Sequence, residues 1–326
     1  MRNIGKKIVS AFLTVLMLSA CAVQAGAVSV KEITAPSAIL VEAETGKVLF
    51  EKDCHQVRAC ASITKVMTML LVMEAIEDGK ISMKDSITAS AHAASMGGSD
   101  IWLEEGEVMS VHDLIKATAV ASANDAAVAL AEEVAGSEDA FVEKMNEKAK
   151  SLGMKETTFK NCNGLDEEGH LTSAYDVAVM SRELIKHKEI FEFTSIWMDN
   201  LRGGKTQIVN TNKLLRNYEG CTGLKTGSTS MALFNLSATA TRNDLSLIAV
   251  IMRGETSSIR FSEAKKLLDY GFSNFEYYKY ANTGDISKTV IVNKGTQKHI
   301  QIGFKNDAGG LIPKGQSSNI VTTVKL

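Results

Sequence analysis

Residues 59–80, ACASITKVMTMLLVMEAIEDGK, place apolar side chains on every side of a helical turn. Ile63, Val66, Met67, Met69, Leu70, Leu71, Val72, Met73, Ala75 and Ile76 leave almost no polar face. A helix apolar all round is a buried helix, and Gly79 suits its C-terminal cap. Upstream, SAILVEAETGKVLFEKD at 37–53 alternates around ETGK, which predicts a β-hairpin. SVHDLIKATAVAS and NDAAVALAEEVAG read as two helices meeting at residues 122–124, with Gly136 closing the second. DAFVEKMNEKAKSLG and SAYDVAVMSRELIKH have amphipathic helical spacing. GLKTGSTS, LFNLSATATR and LSLIAVIMRG read as successive strands, and SIRFSEAKKLLDYGF as a closing helix. Strands at both ends with helices between predict one α/β domain whose sheet joins the two ends of the chain. From about Tyr277 the pattern shortens to KTVIVNKG, KHIQIGF and NIVTTVKL, a small all-β module. At about 50 residues such a module is too small to be secure alone, so it is expected to lean on the main domain.

The start of the chain belongs to neither unit. MRNIGKK is basic, IVSAFLTVLMLSACAV is apolar, and small residues follow. This is the pattern of a secretory signal peptide, and the run is short for a spanning helix. Two processing routes fit. Ordinary cleavage would follow Ala25 or Ala27; LSAC at 18–21 resembles a lipobox, which would leave Cys21 lipidated. The division expected is therefore 1–27 signal peptide, 28–276 main domain and 277–326 terminal module. Membrane association would come only through the N-terminus, because the last residues are strand-like and too short for an amphipathic anchor. An exported protein is expected, at the outer face of the membrane, in the wall or outside the cell.

Composition narrows the function classes. A chain of 326 residues with 45% hydrophobic and 23% charged residues is an ordinary globular protein. Its net charge of −2 offers nothing for nucleic acid. Cys54, Cys60, Cys162 and Cys221 follow no zinc spacing, and the six histidines are scattered, so no metal and no cofactor are expected. Four cysteines beyond the expected signal peptide of an exported chain are compatible with a disulfide and equally with buried thiols.

The chemistry begins with Ser62 and Lys65. At i and i+3 they share one face at the mouth of the buried helix. Serine is a weak nucleophile until a base removes its proton. Lysine can be that base only where burial or a neighbouring cation lowers its pKa. Alone the spacing says little: Ser262 and Lys265 repeat it on a polar helix face. Two more motifs change its weight. Ser122 and Asn124 form Ser-x-Asn at the helix junction, and Lys225, Thr226 and Gly227 form KTG in a predicted strand. In that order the three motifs mark penicillin-binding proteins and related acyl-serine enzymes.

The chain resembles the serine-type D-alanyl-D-alanine carboxypeptidases, the low-molecular-mass penicillin-binding proteins. AILVEAETGKVLFEKD, ASITKVMT, HAASMGGSDIWLEEGE, ASANDAAVALAEEVAG, FVEKMNEKAKSLGM, TTFKNCNGLDEEGHLTSAYDVA and GLKTG carry the resemblance over roughly residues 35–275. It implies a transpeptidase domain of the penicillin-binding-protein and β-lactamase type, an antiparallel sheet flanked by helices. It implies a peptidase of cell-wall biogenesis that acts on peptidoglycan stem peptides ending in D-Ala-D-Ala and binds β-lactam antibiotics covalently. By the resemblance, Ser62 is the nucleophile, Lys65 its base and Ser122 the proton relay. Asn124 would hold Lys65 and the substrate backbone, and Lys225 and Thr226 the terminal carboxylate. Gly227 would let a substrate strand lie close, and the N–H groups of Ser62 and Ser228 would form the oxyanion hole. Lys225 would also help keep Lys65 neutral.

The chain also departs from the family pattern. Cys60 stands where proline is usual, as does Cys162, and the strand after KTG lacks the common glycine-aromatic-cysteine sequence. The terminal module is about half the usual length. A β-lactamase on the same fold would need a glutamate-held water, but the expected Glu-x-x-Leu-Asn is absent between the second and third motifs. A non-catalytic wall-binding protein is opposed by the intact polar trio.

Overall fold

The computed structural model describes residues 32–291 and 299–321. The expected signal peptide, Cys21 and the last five residues lie outside the described residues. The hairpin forms from β1 (Ser37–Glu42) and β2 (Val48–Lys52). Helix α1 follows at Lys65–Glu77, then α2 (Asn124–Ala135), α3 (Glu138–Ser151) and α4 (Ala174–Leu184). The chain returns through β3 (Cys221–Thr229), β4 (Leu233–Arg242), β5 (Leu245–Gly254) and helix α5 (Ser257–Asn274). The antiparallel sheet has the order β2-β1-β5-β4-β3, so the first hairpin pairs with the last strand of the domain. This leaves β3, the KTG strand, on an open edge beside the helices.

Both faces of the sheet are covered, which is why β1 is buried along its whole length. Its alternation sorts the two sides. Ile39 and Val41 point into the larger core with α1, α2 and α4. Ala38 and Leu40 point into the second core under α5, with Leu267, Leu268 and Phe272. Helix α1 is the centre of the larger core: Val66, Met67, Met69, Leu70 and Val72 are fully buried. Each such side chain contributes about 1.5–3 kcal/mol by leaving water. Gly79, at φ +69°, ends that helix where the sequence expects it.

The terminal module differs in detail from its sequence pattern. Strand β6 (Phe275–Ala281) follows α5 directly and runs across the expected boundary at 276/277. It pairs with β9 (Ala308–Pro313), while β7 (Ile286–Ile291) pairs with β8 (His299–Gly303). Residues 317–319 form a 3₁₀ turn, and most of the expected strand NIVTTVKL lies outside the described residues. The module does lean on the domain: Tyr277 and Leu311 pack against the second core, and Lys314 Nζ donates to the Phe272 carbonyl at 3.1 Å. Ser262 and Lys265, the repeated Ser-x-x-Lys spacing, lie on α5 far along the sequence from the other motifs, with Ser262 exposed. Among the described residues no helix is long and apolar enough to cross a membrane.

Candidate active site

Ser62 does not sit in the α-helix its sequence suggests. It lies in a 3₁₀ turn, Ala61–Thr64, and α1 begins at Lys65. The tighter turn has a consequence. Three residues per turn eclipse i and i+3, which sets Lys65 Nζ 3.1 Å from Ser62 Oγ. The turn starts from a left-handed Ala61, φ +49°, and is pinned from three sides. The Asn235 amide donates to the Ala59 and Cys60 carbonyls at 3.0 Å each. His170 accepts from the Lys160 N–H at Nδ1 and so presents its Nε2–H to Thr64 Oγ1, at 2.6 Å. Thr64 in turn donates to the Ala61 carbonyl at 2.9 Å. Burial, only partly offset by Asp166, lowers the His170 pKa to about 4, which keeps this ring neutral. Gly164 closes the third side: a Cβ there would lie 2.0 Å from the Ala61 carbonyl oxygen, and its φ of +90° suits glycine alone.

Lys65 is 0% exposed. Its Nζ donates to Asn124 Oδ1 at 2.5 Å and to the Asn163 carbonyl at 2.6 Å. Both partners are oxygens that only accept, so two N–H bonds are committed. The third position of the nitrogen faces Ser62. In a neutral amine that position is the lone pair, aimed at the serine hydroxyl. Burial lowers the Lys65 pKa to about 7, opposed by the negative charges of Asp100 and Asp125. Burial, one of the two causes expected, leads here. The repulsion between the two lysines is seen at Lys225, which burial, then Lys65 and Arg260, hold well below its ordinary value.

Ser122 follows a π-helical turn, Ala117–Ala121, and takes a left-handed conformation, φ +63°. The widened turn ends the first helix and re-aims the chain before α2. Ser122 Oγ accepts from Lys225 Nζ at 2.9 Å. Asn124 holds Lys65 as expected, but one of its amide N–H groups is spent on the Gly97 carbonyl at 2.6 Å.

On β3, Lys225 Nζ also reaches the Thr226 carbonyl, and the Thr226 hydroxyl is 2.5 Å from that of Thr211. Gly227 has a nearer reason to be glycine than room for a substrate. A Cβ there would stand 3.0 Å from the backbone nitrogens of Ser62 and Ile63. Behind the strand, Arg260 on α5 donates to the Gly227 and Asn235 carbonyls at 3.0 and 3.2 Å. Burial lowers its pKa to about 10. A trans peptide unit points its C=O and N–H in opposite directions. With the Gly227 C=O turned toward Arg260, the N–H of Ser228 is turned away from it, next to the glycine that lies against the Ser62 nitrogen. All eight residues singled out by sequence therefore meet in one cleft. Asn163, Asn235, Arg260, His170, Gly164 and Thr211 complete it and were not singled out.

The four described cysteines are free thiols, and Cys60 and Cys162 are buried beside the site. Among the described residues no group of three or more His, Cys, Asp or Glu side chains is placed to hold a metal ion.

A half-buried serine on a buried lysine, beside the edge strand of an antiparallel sheet, is the arrangement of the penicillin-binding-protein transpeptidase fold. The structure of penicillin binding protein 5 from Haemophilus influenzae superposes with a TM-score of 0.78 at 35% identity, over 89% of this chain and 86% of that one. Penicillin-binding protein D2 from Listeria monocytogenes, in its ampicillin-bound form, superposes with a TM-score of 0.67 at 32% identity, over 74% of this chain and 98% of that one. The D-alanyl-D-alanine carboxypeptidase DacF of Bacillus subtilis is 47% identical over 290 residues, 88% of this chain and 75% of that protein. A sequence profile for the S11 peptidases, described as D-alanyl-D-alanine carboxypeptidase, matches residues 24–256. The chain belongs to this family, the serine-type D-Ala-D-Ala carboxypeptidases among the low-molecular-mass penicillin-binding proteins.

The Lys65 environment is directly measurable. With ¹³C-labelled lysine, the ε-carbon of Lys65, assigned by its loss in Lys65→Arg, should titrate near pH 7. Asp100→Asn removes a charge that favours the ammonium, so it should move the transition to lower pH. A Lys65 that titrates near the ordinary value for lysine would contradict the geometry.

Proposed function

We propose that Ser62 removes the terminal D-alanine of a peptidoglycan pentapeptide stem by way of an acyl-enzyme. The observation that carries this reading is the Lys65 amine with two N–H groups committed and its third position on Ser62. Neutral Lys65 takes the Ser62 proton as Oγ bonds to the carbonyl carbon between the two D-alanines. The oxygen of the tetrahedral adduct becomes an anion between the N–H groups of Ser62 and Ser228. A donor of this kind is worth about 3–4 kcal/mol in other enzymes. As the C–N bond breaks, the leaving amine receives a proton through Ser122, and D-alanine departs. Water then cleaves the ester and restores Ser62.

Lys225 and Thr226 bind the free carboxylate of the substrate, which restricts cleavage to a chain end. The depressed pKa of Lys225 fits this role. A carboxylate beside it favours the ammonium and so opposes that downward shift when the substrate binds. That charge then disfavours a second cation on Lys65 at the moment the base is needed. A β-lactam carries the same carbonyl and carboxylate, and the acyl-enzyme it forms on Ser62 would block the site. The Asn124 amide, held by Gly97, keeps one N–H for the backbone of the bound peptide.

Ser62→Ala should abolish both D-alanine release from a diacylated Lys-D-Ala-D-Ala peptide and covalent labelling by a fluorescent penicillin. Lys65→Arg keeps the cation but cannot give up its proton near neutral pH, so acylation should collapse, by a factor of about 10² or more, while the fold persists. Full D-alanine release by Ser62→Ala would sink the assignment.

The substrate lies outside the cytoplasm, and we infer export through residues 1–27. Ordinary cleavage is the favoured route, giving a released or wall-associated enzyme. The mass of the mature N-terminus checks it: a start at residue 26 or 28 supports this route, and a diacylglyceryl Cys21 overturns it.

A further inference from the structure

Trp102 is 78% exposed, while its neighbours Ile101 and Leu103 are buried. Its φ is +56°, a conformation that a bulky residue adopts only when its surroundings impose it. The surroundings do so. The Asp125 carboxylate accepts from the N–H of Ile101 at 3.1 and 3.2 Å and from that of Leu103 at 2.9 Å. Arg202 donates to the Ile101 carbonyl at 2.9 Å and to the Trp102 carbonyl at 3.4 Å, and pairs with Glu107 at 2.6 Å. Buried Asp125, half-buried Arg202 and a left-handed backbone thus hold an indole out in water.

The segment that carries Trp102 is built into the active site. The Gly97 and Ser99 carbonyls accept from the side chain and the backbone N–H of Asn124, at 2.6 Å each. Asn124 fixes Lys65 and Asp125 fixes the indole, so the two supports are consecutive residues on α2. Gly98 lies against Leu165, which is also exposed: a Cβ on Gly98 would stand 3.6 Å from its Cδ2. Next to Trp102 in the chain are Glu104 and Glu105, both exposed, and the half-buried Asp100.

We propose that Trp102 is a stacking platform for a neutral pyranose ring, an N-acetylated amino sugar of the glycan to which the stem peptide is joined. The inference rests on the carboxypeptidase reading above and specifies its substrate: glycan-linked stems in preference to free peptide. The four residues between the cut bond and the sugar reach about 14 Å when extended, and the loop of Trp102 is tied to the site through the Gly97–Asn124 and Asn124–Lys65 bonds. A flat indole face suits the C–H face of a pyranose, and its polar edge suits water. The surrounding carboxylates accept from sugar hydroxyl and amide groups. The same carboxylates would repel an anionic membrane surface. An ammonium of the stem would be drawn to the carboxylates first, and its binding would weaken sharply with salt.

The test compares kcat/KM for a disaccharide-pentapeptide and for the same pentapeptide without sugar. The native enzyme should favour the glycan-linked substrate. Trp102→Ala should lose about tenfold on that substrate, chiefly in KM, with little change on free peptide. Trp102→Phe should recover most of the loss. In a Trp197→Phe background, where Trp102 is the one tryptophan left of two, N-acetylglucosamine oligomers should change its fluorescence. Equal loss on both substrates would identify a peptide contact, and loss on neither would leave the indole without this role; either result overturns the proposal. A native enzyme that released D-alanine from neither substrate would instead overturn the underlying reading.

Discussion

The site depends on the burial of one amine. An ammonium removed from water needs several strong partners or gives up its proton. Lys65 has two carbonyl oxygens and one hydroxyl within reach and carboxylates only at longer range, which places its pKa at about 7. That is the property a base for serine requires at neutral pH. Asn163, Asn235, His170 and Gly164 serve to keep this nitrogen and its neighbours in place.

Those neighbours come from distant parts of the chain. Ser62 and Lys65 come from the turn into α1, Asn124 from the start of α2, and the Asn163 carbonyl from the segment between α3 and α4. The segment is locked to the nucleophile turn by the Lys160–His170–Thr64 chain of hydrogen bonds and by the close approach of Gly164 to Ala61. Asn235 and Arg260 tie the same turn to the sheet and to α5. The helical core and the sheet are thus coupled through the few residues around Ser62. A change at Gly164 or Arg260 would be read in acylation before it was read in global stability.

Much of this was legible in the chain alone. The hairpin at the N-terminal side follows from alternation, the bounds of β4 and β5 match their apolar runs, β3 begins two residues earlier than its motif suggests, and the motif residues announce their chemistry by side-chain type. The missed residues act differently. Asn163 supplies a backbone carbonyl, which any residue type could offer. Gly164 matters through a contact across 103 positions of sequence with Ala61, a distance that periodicity does not see. Arg260 left a readable trace: it shares a helix stripe with Ala264, Leu267, Leu268 and Gly271, all buried. A charged residue on an apolar stripe needs a partner, and here the partners are the carbonyls of Gly227 and Asn235. The 3₁₀ turn at Ser62 was read as α-helix because apolar spacing fixes burial, not the number of residues per turn. In the terminal module, FEYYKYA mixes tyrosines with charges, and its strand character comes from pairing with Ala308–Pro313.

The central claim is the direction of one lone pair. A neutron structure of the perdeuterated protein, grown about one unit above the Lys65 pKa, would show it. Two deuterons on Lys65 Nζ, directed at Asn124 Oδ1 and the Asn163 carbonyl, with the Ser62 hydroxyl deuteron directed at Nζ, is the predicted result. Three deuterons on Nζ, one of them directed at Ser62 Oγ, would contradict the account.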